Sequence, residues 1–323
     1  MLLAGAAQAE PADTEVGEVI VTALKRSELL SNVGASVTAI SSEQLRSTRV
    51  EGVGELAGYT PNVDIKSNSP GANVVVTIRG VGIDDFSTTV SPAAGVYVDE
   101  VPLSSLALMG LSLFDLERVE VLRGPQGTLY GRNSIAGAIN ILSARPGSEF
   151  GGYVETGYAN YDRFELTGAV DLPVSDDLAF RVSGKTVQQA EGYWRSNLLA
   201  DGTPGSRRIG EQHATALRVQ AAYSPTSYLR FNLKLEGERS RSETGPLSFF
   251  GSFKMGSPFV LCDPVRADRV DNTQCTDAFG YRNLNAKPEY HGDWIGNFPL
   301  RLRQVGGALH TTVDFSGAQL DLI

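Results

Sequence analysis

The residues able to do chemistry are few and scattered. Of the three histidines, His213, His291 and His310, His291 has a carboxylate on either side, in "EYHGDW" beside Glu289 and Asp293. A solvated loop histidine accounts for that stretch as well as a metal ligand does, and no metal is assigned. No Ser/His/Asp arrangement and no working pair of carboxylates is present, so no catalytic residue is assigned and an enzyme is not expected. Cys262 and Cys275 share one loop-like stretch, "CDPVRADRVDNTQC", without a hydrophobic period or histidines at metal spacing. In an oxidising compartment they close a disulfide that pins this loop, with two free thiols as the alternative. The densest concentration of unusual residues is "VEVLRGPQGTLYGRNSIAGAINI", residues 119–141, where two short apolar strands flank a glycine-rich crossing that carries Arg123 and Arg132. Its glycines suggest a phosphate loop, but the Gly-Lys-Ser/Thr ending is missing and no periodic helix follows, so neither that reading nor any cofactor is retained.

The elements around these residues are short. The chain has 323 residues with 35 glycines, 11 tyrosines, 13 phenylalanines and 3 methionines, a mix suited to strands and turns. A net charge of -9 leaves no basic face for a phosphate backbone, and nucleic acid is not an expected partner. No run of about 18 apolar residues occurs, which excludes a spanning helix but not a spanning barrel, whose hydrophobicity is hidden in alternation. The start, "MLLAGAAQAE", ends in Ala7-Gln8-Ala9, the small-x-small pattern of an export signal's tail, with a mature chain beginning near Glu10; a featureless alanine-rich leader is the alternative.

Along the chain, Glu18 to Ala23 of "GEVIVTALKR" form a β-prone stretch with no nearby hairpin partner. It is either a candidate for pairing with another protein or an edge strand of the next domain. From Ser36 to about Gly147 the pattern is mixed α/β: strands at "SVTAI", "PNVDIK", "NVVVTIRG" and "GVYVDEVP", and a short helix opened by Ser41 and Gln44 at capping-box spacing. No element there reaches the dozen residues of a core helix, so this domain must lean on something else. After Gly147 the period becomes two. Phe164, Leu166, Val170 and Leu172 oppose Glu165, Thr167 and Asp171; Leu229, Phe231, Leu233 and Leu235 oppose Arg230, Asn232, Lys234 and Glu236. One greasy and one charged face over strands of about 9 to 11 residues match barrel strands of an outer membrane. A soluble sandwich also alternates, but here short connections at "LPVSDD", "SPTS" and "FSGA" alternate with long ones near 190–212 and 240–300, as in a barrel with short inner turns and long outer loops.

At these residues the chain resembles the TonB-dependent receptors. "EVIVTA" resembles the family's TonB box, "VVTIRGVG" its Ile-Arg-Gly segment, "GVYVDEVP" its Tyr-x-Asp-Gly-Val segment, "ERVEVLRGPQGTLYGRNSIAGAINI" its strongest block and "LAGYTPNV" an early turn, covering about residues 16–146 in the family's order. The resemblance implies a mixed α/β plug domain inside an antiparallel transmembrane β-barrel. The chain then divides into leader (1–15), TonB box and linker (16–35), plug (36–148) and first barrel strands (149–323). It further implies pairing of Glu18, Val19, Ile20, Val21, Thr22 and Ala23 with TonB, and plug–barrel contacts from Arg79 and Arg123 to barrel glutamates. Ligand contacts are expected in two loops, "VGIDDFSTTVSP" and "LSSLALMG", from Asp84, Asp85, Phe86, Ser87, Thr88 and Ser105, although a solvated loop has the same composition. The implied activity is energy-coupled uptake across a Gram-negative outer membrane, with outer-membrane lipid as surroundings and a ferric siderophore or other iron chelate as ligand. A passive porin-like channel and a surface signalling receptor are the other classes. One departure stands out: Asp99-Glu100 replaces the family's Asp-Gly, and glutamate is poor at positive φ, so a different turn is expected there. A plugged barrel needs on the order of 22 strands and about six follow the plug, so the chain is expected to be the N-terminal portion of a longer receptor.

Overall fold

The structure is a computed structural model that describes residues 20–22, 25–26, 28–69, 72–87, 89–110, 112–243, 252–266, 274–276, 291–292, 294, 296–297 and 299–323. Among the described residues its first half holds nine short strands: β1 (Ile20–Val21), β2 (Glu28–Leu29), β3 (Ser36–Ser41), β4 (Val63–Ser69), β5 (Ala72–Ile78), β6 (Ala94–Val98), β7 (Val101–Pro102), β8 (Leu116–Arg123) and β9 (Gly137–Ser143). Five of them form a sheet in the order β3-β8-β9-β6-β7, in which only β6 and β9 run parallel. β4 and β5 form a separate hairpin. The helix α1 (Ser42–Ser47) opens with the capping box expected of Ser41 and Gln44, and Leu45 is its buried residue.

Alternation along β8 divides the domain's interior in two. Val119 and Val121 face a core with Leu56, Ile78, Leu106, Ile139 and Ile141. Leu122 faces the other side, against Val21, Tyr97, Tyr130 and Ala138. There the Tyr97 hydroxyl donates to the Tyr130 carbonyl at 2.7 Å, and the two rings meet edge to face at 4.9 Å. The glycine-rich crossing folds as a single helical turn, α2 (Gly127–Tyr130). Gly137 needs its missing side chain, because its φ is 154° and a Cβ would lie 2.2 Å from the Leu122 carbonyl oxygen. Gly127 has neither constraint.

The expectation of a changed turn at Asp99-Glu100 is corrected. Both residues are left-handed, with φ of 47° and 69°, and close the tight β6–β7 hairpin as Asp-Gly would. Side chains offset the strain: the Asp99 carboxylate accepts from the Ser143 N–H and hydroxyl, both at 2.8 Å, and Glu100 pairs with Lys25 at 2.9 Å.

The second half is dominated by strands β10 (Gly151–Ala159), β11 (Arg163–Ser175) and β12 (Leu178–Gln189). After β13 (Trp194–Leu198) and β14 (Pro204–Ile209), β15 (Gln212–Thr226) and β16 (Leu229–Glu243) continue the large sheet. Among the described residues four small strands follow, β17 (Phe253–Lys254), β18 (Ser257–Leu261), β19 (Cys275–Thr276) and β20 (His291–Gly292), before β21 (Pro299–Phe315) and β22 (Ala318–Leu322). The large sheet has the order β10-β11-β12-β15-β16-β21-β22 and is antiparallel throughout. Among the described residues its outer strands do not pair with each other, so it is open. Several strands exceed the expected length, up to 17 residues in β21, so they extend past the height that a bilayer core requires.

The two faces of this sheet decide its surroundings. Val154, Phe164, Leu166, Leu233, Leu235 and Leu309 are exposed, whereas Arg181, Lys185, Arg218 and Lys234 are each no more than 9% exposed. The charged face packs on the N-terminal domain and the greasy face looks away, the reverse of a soluble sandwich. The short connections 176–177, 227–228 and 316–317 lie at one end; the long segments 190–211 and 244–298 leave from the other.

Candidate functional site

Two sites follow from this arrangement: the N-terminal strand and the contact between the two halves. Of the stretch 18–23, Ile20, Val21 and Thr22 are described; Glu18, Val19 and Ala23 lie outside the described residues. The expectation of a partnerless strand is corrected, since β1 pairs with β2 (Ile20↔Leu29, Val21↔Glu28). Val21 is 1% exposed while Ile20 is 54% exposed, as period-two alternation on a docked edge demands. The strand ends on a carboxylate: Glu120, fully buried, accepts from the Thr22 N–H at 2.8 Å and the Thr22 hydroxyl at 3.3 Å. Arg118 completes the group, donating to Glu120 at 2.7 Å and to the Thr22 hydroxyl at 3.1 Å. These are charge-assisted bonds, stronger than ordinary amide pairs.

The contact between the halves is built with carboxylates on the domain and bases on the sheet. Arg181 donates to both oxygens of Asp115, at 2.9 and 2.6 Å, and to Asp171 at 2.5 Å. Lys234 donates to Asp99 at 2.7 Å. Arg163 reaches Glu51 at 2.5 Å, and Lys185 lies 3.9 Å from the same carboxylate. Arg218 donates to the Phe114 carbonyl at 3.1 Å, stacks over its ring at 4.5 Å and pairs with Glu236 at 3.0 Å. Glu238, in reverse, accepts from the Ser112 hydroxyl at 3.0 Å. Burial works to raise the Asp99 pKa, but Lys234, the Ser143 N–H and Arg218 together hold it below the usual carboxylate range. For Glu51 burial dominates, and its carboxyl sits above the usual range despite Lys185 and Arg163.

Sequence reasoning assigned this role to Arg79 and Arg123. Among the described residues Arg123 donates within its own domain, to the Ser36 hydroxyl and the Pro61 carbonyl, both at 3.1 Å. Arg79 is exposed, left-handed at φ 53°, and its N–H donates to the Asn62 carbonyl at 2.8 Å. The missed residues, Glu51, Asp99, Ser112 and Asp115, sit in turns and irregular stretches that carry no period. The inward bases of the sheet were readable as a face but not as partners of these acids.

The loop candidates are held by local bonds. Asp85 accepts from the Ser87 N–H at 2.8 Å, and the Ser87 and Thr89 hydroxyls meet at 2.8 Å. Asp84, Asp85 and Ser87 are exposed, and Thr88 lies outside the described residues. Phe86 packs on the core cluster, as does Leu103 of the second loop, so the two loops share a base. The Ser105 hydroxyl accepts from the Ala107 N–H at 3.4 Å and so shapes its own turn.

On the long-connection side, β13 and β14 join β20 in one small sheet, and β17 joins β18 and β19 in another. Cys262 and Cys275 form a disulfide with Cα atoms 5.7 Å apart, which staples the second sheet. His213 hydrogen-bonds Gln188 at 2.8 Å. His310 lies on β21 and His291 on β20. Among the described residues no three His, Cys, Asp or Glu side chains converge as a metal site.

Comparison with known proteins gives this geometry relatives. Residues 30–138 match the family model described as TonB-dependent Receptor Plug Domain. The pesticin receptor of Yersinia pestis is 32% identical over 183 residues, covering 56% of this chain and 26% of that protein. The vitamin B12 transporter BtuB of Vibrio vulnificus is 30% identical over 182 residues, 54% of this chain and 28% of that protein. The crystal structure of the ferric yersiniabactin uptake receptor FyuA from Yersinia pestis superposes with a TM-score of 0.62 at 23% identity, covering 87% of this chain and 38% of that one. The chain thus spans about a quarter of the length of the curated relatives it matches.

Proposed function

Because the chain belongs to the TonB-dependent receptor family, a family of outer-membrane receptors and not of enzymes, we propose that it serves the active uptake of a scarce ligand, a ferric siderophore or other iron chelate. The observation that carries this reading is a contrast in attachment. The plug is fixed to the barrel wall by buried ion pairs at Asp115 and Asp99, while its N-terminal strand is held by a two-residue pairing and the Thr22–Glu120 bonds. A passive channel has no use for such a separately detachable strand. In this reading ligand capture by the long outer loops and by Asp84, Asp85, Phe86, Ser87, Thr88 and Ser105 favours release of residues 18–23. These then add as a strand to an edge of TonB, where main-chain hydrogen bonds provide affinity with little sequence demand. Arg79 and Arg123 are proposed as additional plug–barrel contacts, and the division 1–15, 16–35, 36–148 and 149–323 as the functional units. The iron-chelate assignment draws on the receptor for ferric yersiniabactin, while the vitamin B12 transporter marks another ligand class within the same architecture.

Deletion of residues 18–23 provides the test. Binding of a radiolabelled iron chelate at the cell surface is expected to persist while its accumulation stops. Accumulation that continues overturns the coupling, and leakage of ligand in de-energised cells assigns the protein to the passive channels.

A further inference from the structure

The outward face of the large sheet changes character along two neighbouring strands. On β16 the exposed series Leu233, Leu235 continues with the same parity to Arg239 and Arg241, and on β21 the series Leu309, Val305 continues to Arg303 and Arg301. The register sets these bases directly opposite each other, Arg239↔Arg303 and Arg241↔Arg301. Like charges in directly opposed positions oppose pairing of the strands. All four are exposed, and among the described residues none is ion-paired with a carboxylate. The carboxylates at that rim are engaged elsewhere: Glu243 accepts from the Gly210 N–H at 3.1 Å, and Glu211 lies 4.0 Å from His213. The nearest outward neighbours on β15 are Thr215 and His213, so among the described residues four positive charges gather without a carboxylate paired to any of them.

Their height gives the chemistry of what does. Ten residues separate Leu229, beside the short turn, from Arg239 on the same strand, about 34 Å along the strand. At the usual barrel tilt this is about 25 Å of vertical rise, the height of an apolar band. The exposed rings of Tyr228 and Phe315 mark the lower edge of that band, as interface aromatics do. The arginines therefore stand where the apolar band ends, on the side of the long outer loops, facing away from the plug. We propose that Arg239, Arg241, Arg301 and Arg303 form a binding site for the phosphorylated headgroup of an outer-leaflet lipid, one that carries at least two phosphates. The guanidinium fork binds phosphate oxygens in pairs, and a headgroup bridging the two strands replaces their mutual repulsion with attraction. The site rests on the barrel reading of the sheet but not on transport.

The test uses the receptor purified from outer membranes in non-ionic detergent, with binding read by native mass spectrometry. The probes are bisphosphorylated lipid A, the same lipid stripped of phosphate, and inorganic phosphate. The bisphosphorylated lipid is expected to bind at least about tenfold more tightly than the stripped one. R239Q, R241Q, R301Q and R303Q together should remove that difference, and lysines at the same positions should retain part of it. Equal binding of the two lipids, or an unchanged preference in the glutamine variant, overturns the proposal. Displacement of the lipid by millimolar inorganic phosphate overturns it too, since the site would then be a free-anion site. Should the fourfold variant not fold, the R239Q and R303Q pair and a salt titration of the unaltered receptor decide. The preference must weaken in both, because screening shortens the reach of exposed charges. Iron uptake is not read, so failure of the transport proposal leaves this result standing.

Discussion

Glu120 illustrates how one side chain can tie a surface strand to a core. The residue has the parity of Leu122 on β8, so alternation places it on the face that receives the N-terminus, and its burial is tolerated because Arg118, Thr22 and Asn140 surround it. A hydrogen bond to a charged group contributes about 1.5–3 kcal/mol, so weakening it moves the strand's attachment equilibrium by roughly tenfold or more. Glu120→Gln keeps the shape and removes the charge. A nitroxide at position 20 is expected to show a larger mobile fraction in that variant before any ligand is added, and an unchanged spectrum would contradict the latch. Nothing in "ERVEVLRG" marked this glutamate as different from Glu117, because its role depends on a segment 98 residues away. Asp99 was similarly opaque, since its identity as a turn residue was visible but its partners Ser143 and Lys234 are not local.

Elements with a long period were legible. The alternation in β11 and β16 showed both faces in advance, and the strands lie where it placed them, because a half-exposed sheet allows only one register. The lipid-facing parity has a direct consequence. Leu233→Arg, at mid-height on the outward face, is expected to cost about 2–4 kcal/mol of folding stability in a bilayer, read by denaturant titration of the refolded receptor. A neutral effect would mean that this face does not meet lipid. Short elements were harder. A two-residue strand has no period, so nothing in the sequence marks β2 at Glu28–Leu29 as the mate of β1. At the β6–β7 turn residue preference points away from a left-handed glutamate, and the bonds made by Asp99 and Glu100 account for the turn that forms.

At the scale of the molecule, the sequence showed two halves of opposite design and the need of the first for support. The ion pairs show how the support is given: acids in the plug's irregular segments meet bases on the wall's inner face. This sets a pH dependence. The Asp99 carboxyl titrates lower in the folded protein than in the unfolded chain, so its contribution is complete above about pH 4 and fades as the pH falls through the lower, folded value. Acidification below that window is expected to loosen the plug, seen as faster cleavage of plug segments by an acid-active protease. Asp99→Asn, which tolerates the left-handed backbone, should remove the Asp99 share of that pH response. The direction of the first hairpin has a mechanical consequence. Ile20 lies opposite Leu29, so a tug on the N-terminus, resisted just beyond residue 29, acts at one and the same end of the pair. The load then falls on a single rung at a time, as in opening a zip, and never on the whole ladder in shear. A modest tension suffices to peel this strand, while the 15 aligned residue pairs between β16 and β21 stay shut.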